Sequence, residues 1–323
     1  MRNFVFGILV LLISISGCNL SINNSTINSN IYEDNVKIDA YFCPRDNCEK
    51  IIIDEINSAQ DSLYCAFYEL KLKDVISAIG KKSHAAGVKI VIDEGNYESQ
   101  IKGQGVKTAN SLQYMHNKFC IIDNKKVLTG STNPTDNGVN FNNNNLIIIE
   151  SKFLSENYKD EFDELWNGIY TAGDEVRYNK INSNNLIIEN YFCPEDNCKE
   201  QVIKTLDQAQ ESIYFMTFSF TDEEIADAIL FKKINIKGIF ENRGSGTDYS
   251  QYTRLKDFGI EVKKDKNKKT MHHKVFIIDN KTVITGSMNP TGSGNFRNDE
   301  NLLIIHNEEI AKEFLEEFEL LWA

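Results

Sequence analysis

The sequence predicts an α/β protein built from two homologous domains, each a mixed β-sheet flanked by helices. Two observations carry this prediction. First, the chain repeats itself: Tyr41-Phe42-Cys43-Pro44-Arg45-Asp46-Asn47-Cys48 returns as Tyr191-Phe192-Cys193-Pro194-Glu195-Asp196-Asn197-Cys198 at an offset of 150. Met115-His116-Asn117-Lys118 returns as Met271-His272-His273-Lys274, and Glu161-Phe162 before Trp166 as Glu317-Phe318 before Trp322, both at an offset of 156. Copies of about 130 residues are domain-sized, whereas solenoid repeats are shorter. Second, short apolar runs alternate with helical periodicity inside each copy, as in a sheet covered by helices on both faces. Composition sets the outer limits. With 323 residues, 41% hydrophobic, 25% charged and 4 Pro, the chain has room for about two globular domains and is neither a disulfide knot, a collagen-like chain nor wholly disordered.

Taken in order, residues 1–17 read as an export signal: Met1 and Arg2 precede an apolar run from Phe4 to Ile15, too short for a comfortable membrane span. Ile15-Ser16-Gly17-Cys18 resembles a lipobox, which predicts a bacterial membrane-anchored lipoprotein carrying its lipid on Cys18; a plain secretory signal is the alternative. Residues 18–36, rich in Asn and Ser, are expected to form a flexible tether. The first domain is placed at 37–170, a linker at 171–186 and the second domain at 187–323. Each domain starts with a helical pattern after its Cys pair (Ile52, Ile53, Ile56, Ala59; Val202, Ile203, Leu206, Ala209). An aromatic strand follows (Ser62 to Tyr68; Ser212 to Phe218), then a second helix (Asp74 to Ala86; Asp222 to Leu230) and another strand (Val88 to Ile92; Ile234 to Phe240). The His segment opens onto further strands, Lys118 to Ile122, Val127 to Thr129 and Leu146 to Ile149 in the first copy. An amphipathic helix ending in Trp166 or Trp322 closes each domain.

Seven cysteines are distributed over this plan. In an exported protein the two C-P-x-D-N-C segments favour short disulfides, Cys43 to Cys48 and Cys193 to Cys198, with a four-Cys metal site as the alternative. Cys65 and Cys120 sit on strands where the other copy has Phe215 and Phe276, and read as core filler.

The chemistry lies in the second repeated segment. His116, Lys118 and Asp123 form H-x-K-x4-D, and His272, Lys274 and Asp279 form it again. Seven residues past each Asp come Gly130-Ser131-Thr132-Asn133-Pro134 and Gly286-Ser287-Met288-Asn289-Pro290. On a strand, His and Lys two apart project to one face, so each copy offers a reactive ring nitrogen beside a fixed positive charge. Asn133 and Asn289 add neutral donors. Such groups suit displacement of an alcohol from a phosphodiester. The sequence lacks a matching carboxylate cluster for a two-metal mechanism, so no metal and no cofactor are expected.

The paired motifs resemble those of the phospholipase D superfamily, and the resemblance runs from about Lys37 to the C-terminus; compact size and the Cys-Pro segments are most similar to its small bacterial Nuc-like branch, here fused in one chain. The resemblance implies two phospholipase D-like domains about a pseudo-twofold, the active site at their interface, and a chain that functions as a monomer. It also implies reaction through a phosphohistidine. By analogy His116 is the nucleophile and His272 the general acid/base, with the reverse as the alternative; Lys118, Lys274, Asn133 and Asn289 hold the phosphate. Asp123 and Asp279 complete the motif in structural roles, and Ser131 and Ser287 orient neighbours. His273, out of register, is a polar neighbour, and His84 and His306 lie outside both motifs. The family often has an acid that orients a catalytic His. Glu300 supplies it in the second copy, but the first has Asn144 at that place, so the two imidazoles should differ in basicity.

Two phosphodiester classes are expected as substrate. The net charge of −12 and the anchor favour phospholipid. Nucleic acid, the Nuc-like endonuclease alternative, is favoured by the run from Arg254 to Lys274, which holds eight basic and three acidic residues and leads into His272. A non-enzymatic binding lipoprotein is the third reading.

Overall fold

The computed structural model of the chain describes residues 30–83, 87–98, 101, 103, 105–111 and 113–323. The export signal, Cys18, the first part of the tether and His84 lie outside the described residues. Among the described residues the first element is β1 (Asn30–Tyr32). The first domain then runs β2 (Lys37–Cys43), α1 (Cys48–Ser58), β3 (Ser62–Phe67), α2 (Lys73–Lys82), β4 (Gly87–Asp93), β5 (Val106–Ala109), β6 (Lys118–Ile122), β7 (Lys126–Gly130), α3 (Asp136–Asn140), β8 (Asn144–Glu150) and α4 (Lys152–Asn167). After β9 (Lys180–Ser183) the second repeats this order with, among the described residues, one added helix, α7: β10 (Leu186–Cys193), α5 (Cys198–Asp207), β11 (Ser212–Thr217), α6 (Glu223–Leu230), β12 (Asn235–Phe240), α7 (Gln251–Asp257), β13 (Glu261–Lys264), β14 (Lys274–Ile278), β15 (Thr282–Gly286), α8 (Gly292–Phe296), β16 (Glu300–His306) and α9 (Glu308–Trp322).

The duplication extends to the order of seven strands in each sheet. One sheet has the order β2-β8-β7-β6-β3-β4-β5, and the other contains β10-β16-β15-β14-β11-β12-β13. In both, parallel pairs such as β3 with β4 adjoin antiparallel pairs such as β3 with β6, so the sheets are mixed as expected. Two boundaries depart from expectation. Part of the predicted tether is ordered, because β1 pairs in parallel with β9 and so joins the second domain's sheet. The predicted linker likewise contains β9, paired with β10. Glu33, just past β1, accepts hydrogen bonds from the Lys152 N–H at 2.6 Å and the Ser151 hydroxyl. It thereby satisfies free donors at the start of α4.

The closing helices explain the packing. Leu154, Tyr158, Phe162 and Leu165 form the buried stripe of α4, at the spacing of one helical face. Gly168, in the left-handed region at φ 81°, ends that helix. A single apolar core runs through both domains and unites Phe119, Tyr158 and Phe162 with Phe192, Phe314 and Phe318. Its junction has two related edge-to-face pairs, Tyr158 on Phe192 at 5.1 Å and Phe42 on Phe314 at 5.0 Å. A second core packs α1 and α2 on the other face of the first sheet through Ile52, Ile56, Val75 and Ile79.

Cys43–Cys48 and Cys193–Cys198 are both disulfide-bonded. Cys65 and Cys120 require a correction: they form a third disulfide. They are direct cross-strand partners on β3 and β6, in the register that places Phe215 opposite Phe276 in the second domain. One half thus has a covalent link where the other has an aromatic pair.

Candidate active site

Both His motifs begin at the seam between the domains. The His116 N–H donates to the Asp299 carbonyl at 2.9 Å, and the His272 N–H to the Asn143 carbonyl at 2.8 Å. Each catalytic strand therefore enters the site held by the opposite domain's chain. The side chains then cross over as well. Nδ1 of His116 lies 2.7 Å from Glu300 Oε2 of the second domain. Nδ1 of His272 lies 2.9 Å from Asn144 Oδ1 of the first. Ser287 donates to Glu300 at 2.6 Å and Ser131 to Asn144 at 2.9 Å, so each serine steadies an orienting residue of its own domain.

Glycine is needed beside these serines. Gly130 has φ 131° and a Cβ there would approach the Asn145 carbonyl oxygen at 2.5 Å; Gly286 has φ 137° with the same conflict at Asn301. The amides of those asparagines also stitch the halves: Thr285 donates to Asn145 Oδ1 at 3.0 Å and Thr129 to Asn301 Oδ1 at 3.1 Å.

Each lysine folds back on its own motif. Lys118 Nζ donates to the His116 carbonyl and lies 5.1 Å from the Tyr68 ring centre; Lys274 Nζ donates to the His272 carbonyl and lies 4.9 Å from that of Phe218. Tyr68 and Phe218 also pack on the imidazoles, at 4.8 and 4.7 Å. Sequence reasoning missed these two rings, although they close the aromatic strands at matching places in the repeats. Burial makes the cations costly. It pushes the Lys118 ammonium down to about 7 and Lys274 well below the usual lysine range, where Lys118 adds repulsion. Burial lowers His116 to about 4, against the pull of Glu300. His272 falls well below the usual imidazole value through burial and the field of Lys274 and Lys118, with no carboxylate against it. Glu300 itself is buried, yet His116, Lys118 and Asn298 hold it below the ordinary glutamate value.

His116, His272, Asn133, Asn289, Tyr68, Phe218 and Asn144 line one cleft of about 880 Å³. The Oδ1 atoms of Asn133 and Asn289 are buried without partners, which leaves the amide nitrogens as the groups to offer a ligand. Four charged residues line the walls: Glu69, Lys71, Glu241 and Arg243. Lys71 pairs with Glu69 at 3.3 Å.

Asp123 and Asp279, grouped with the catalytic residues by their motif, do not reach this cleft. They sit at the far ends of β6 and β14. Asp123 accepts from the N–H groups of Gln60, Asp61 and Ser62, and Asp279 from those of Gln210, Glu211 and Ser212. His273 is buried and points away, with Nε2 3.5 Å from Glu317. His306 lies on β16 beside Glu189. The basic run is also redirected. Lys263 caps α9 by donating to the Trp322 carbonyl at 2.8 Å, Lys266 donates to the Ala323 carbonyl, and Arg254 pairs with Asp227. Of residues 254–274, only Thr270 and His272 line the cleft.

Comparison with known proteins agrees with this arrangement. The family model described as "Cardiolipin synthase, PLD-like domain" matches residues 52–166 and again 202–322. The chain belongs to the phospholipase D-like family. It is 29% identical to a phospholipase D of Rickettsia felis over 163 residues, 49% of this chain and 82% of that protein. It is 32% identical to a mitochondrial cardiolipin hydrolase of Xenopus tropicalis over 136 residues, 40% of this chain and 65% of that one. The chain thus spans slightly under two thirds of the Xenopus relative. Phosphatidylserine synthase of Haemophilus influenzae shares the fold at a TM-score of 0.67, with 12% identity, over 87% of this chain and 85% of that one. Two phospholipase D-like domains, and phosphodiester chemistry as the class of activity, follow from family membership together with the paired motifs.

Proposed function

We propose that the protein hydrolyses phospholipid headgroups as a phospholipase D-type phosphodiesterase, through a phosphohistidine and without a metal. The observation that carries the reading is the convergence of two histidines, one from each domain, on one cleft, each with its motif lysine folded against its own carbonyl. His116 attacks phosphorus through Nε2, because Glu300 on Nδ1 supports the positive charge the ring acquires. As the P–N bond forms, the P–O bond to the headgroup breaks and the leaving oxygen takes a proton from His272 Nε2. Water then attacks phosphorus, gives its proton to His272 and releases His116. Lys118, Lys274, Asn133 and Asn289 stabilise the phosphoryl oxygens. The anionic charge is met by lysines, and Glu300, the carboxylate at the histidines, is already engaged by His116, Ser287 and Asn298.

Lipid is favoured over nucleic acid by the cleft walls, whose two acids and two bases offer no cationic track for a polyanion. We further propose that a lipid on Cys18 holds this single chain at a membrane outside the cytoplasm. Purified protein assayed side by side on phosphatidylglycerol or phosphatidylcholine vesicles and on single- and double-stranded DNA should act on the vesicles, and do so undiminished in EDTA. Turnover of DNA alone would move the assignment to a nuclease, and abolition by EDTA would remove the metal-free mechanism.

A further inference from the structure

We infer that Asn144, placed where the other half has Glu300, sets the proton affinity of His272 and so confines turnover to the acid side of neutrality; the second clause rests on the phosphodiesterase reading above. The geometry fixes the amide's orientation. Its Nδ2 donates to the Gly138 carbonyl at 2.9 Å, which leaves Oδ1 facing Ser131 Oγ and His272 Nδ1, each at 2.9 Å. The Ser131 carbonyl, a second acceptor, lies 3.2 Å from the same Nδ1. Nδ1 therefore keeps its hydrogen, and any proton that His272 gains or gives is carried on Nε2.

The two imidazolium forms are then unequal. That of His116 is half of an ion pair with Glu300, whose other oxygen accepts from Asn298 at 2.9 Å. That of His272 has only dipoles at Nδ1, the Asn144 and Ser131 oxygens. Lys274 on β14, Lys118 on β6 and His116 act on it electrostatically, and all oppose a further positive charge. The acids lining the same cleft are otherwise engaged: Glu241, after β12, accepts from the Gly244 N–H at 2.6 Å, and Glu69, after β3, pairs with Lys71; Arg243 lines the wall beside Glu241. Burial works in the same direction. The proton for the leaving oxygen is thus the scarce component at neutral pH, while the neutral ring is ready to accept a proton from water in the second step. Because the acid form exists below the folded pKa, kcat/KM should fall as pH rises through it.

The test uses the full chain labelled with nitrogen-15 histidine, with the His272 signal identified by its loss in His272→Gln. Asn144→Asp should raise the His272 titration midpoint by about one to three pH units, the effect of an adjacent opposite charge. The descending limb of kcat/KM on phosphatidylglycerol vesicles should move by the same amount. Glu300→Gln supplies the reciprocal test should the first variant fold poorly: an amide at that place should lower the midpoint of His116 and leave that of His272. A His272 midpoint unmoved by Asn144→Asp overturns the inference, as does an unchanged His116 midpoint in Glu300→Gln. A midpoint that moves while no variant turns over any phosphodiester supports the role of Asn144 and removes the phosphodiesterase reading instead.

Discussion

Alanine at His116 or at His272 is expected to lower kcat by roughly 10³-fold or more, the usual scale for removing a nucleophile or an acid–base group. Neither change should unfold the protein. His116 is 8% exposed and His272 is partly open to the cleft, so each truncation adds space at the site and not inside the shared aromatic core. The two variants should part company on a phosphodiester with a p-nitrophenol leaving group. Nitrophenolate leaves without a proton, so loss of His272 should cost much less in the first step, seen as a burst of nitrophenol. Loss of His116 should abolish burst and turnover together. The opposite pattern would exchange the two roles, and near-native kcat in either variant would remove the two-histidine mechanism.

Asp123→Ala and Asp279→Ala should act on stability, each by about 2 to 4 kcal/mol. Each carboxylate gathers three N–H groups of the turn that leads into β3 or β11, and those donors lose a charged acceptor when it is removed. Against the cost of burial, the same backbone bonds hold both carboxyls below the ordinary aspartate value. Their contribution is therefore complete above the unfolded pKa near 4 and is lost as pH falls through the lower folded value. Urea unfolding at neutral pH should show the loss, while kcat per folded molecule stays near wild type. A large kcat defect at unchanged stability would place these residues in the chemistry after all.

The duplication made most of this site legible, because two copies of H-x-K followed by G-S-x-N-P mark the same strand and loop twice. What stayed hidden depends on contacts between distant segments. Glu300 could be seen as an orienting acid, but not that it serves the histidine of the other domain, since the exchange arises only where the seam brings Asp299 to His116 and Asn143 to His272. The Lys-rich run looked like a binding face by its nearness to His272 along the chain. Its β13 segment is an edge strand, four residues long and largely exposed, and Lys263 spends its charge on the end of α9. Strands this short carry no apolar alternation, and the five-residue α3 and α8 are too short to show a helical period. Cys65 and Cys120 are 55 residues apart, and only the register of β3 against β6 brings them together.

The pairing of β1 with β9 bears on how the molecule would respond to being cut. Only a short turn separates β1, at the rim of one sheet, from β2, at the rim of the other. A protease that nicked the chain between Gly168 and Lys180 would produce two fragments. The leading fragment would still hold a strand in the sheet of the trailing one, and the aromatic seam would remain closed. Such a nicked protein should travel as one particle on a sizing column and separate only in denaturant, as a latch holds a door whose hinge has been removed.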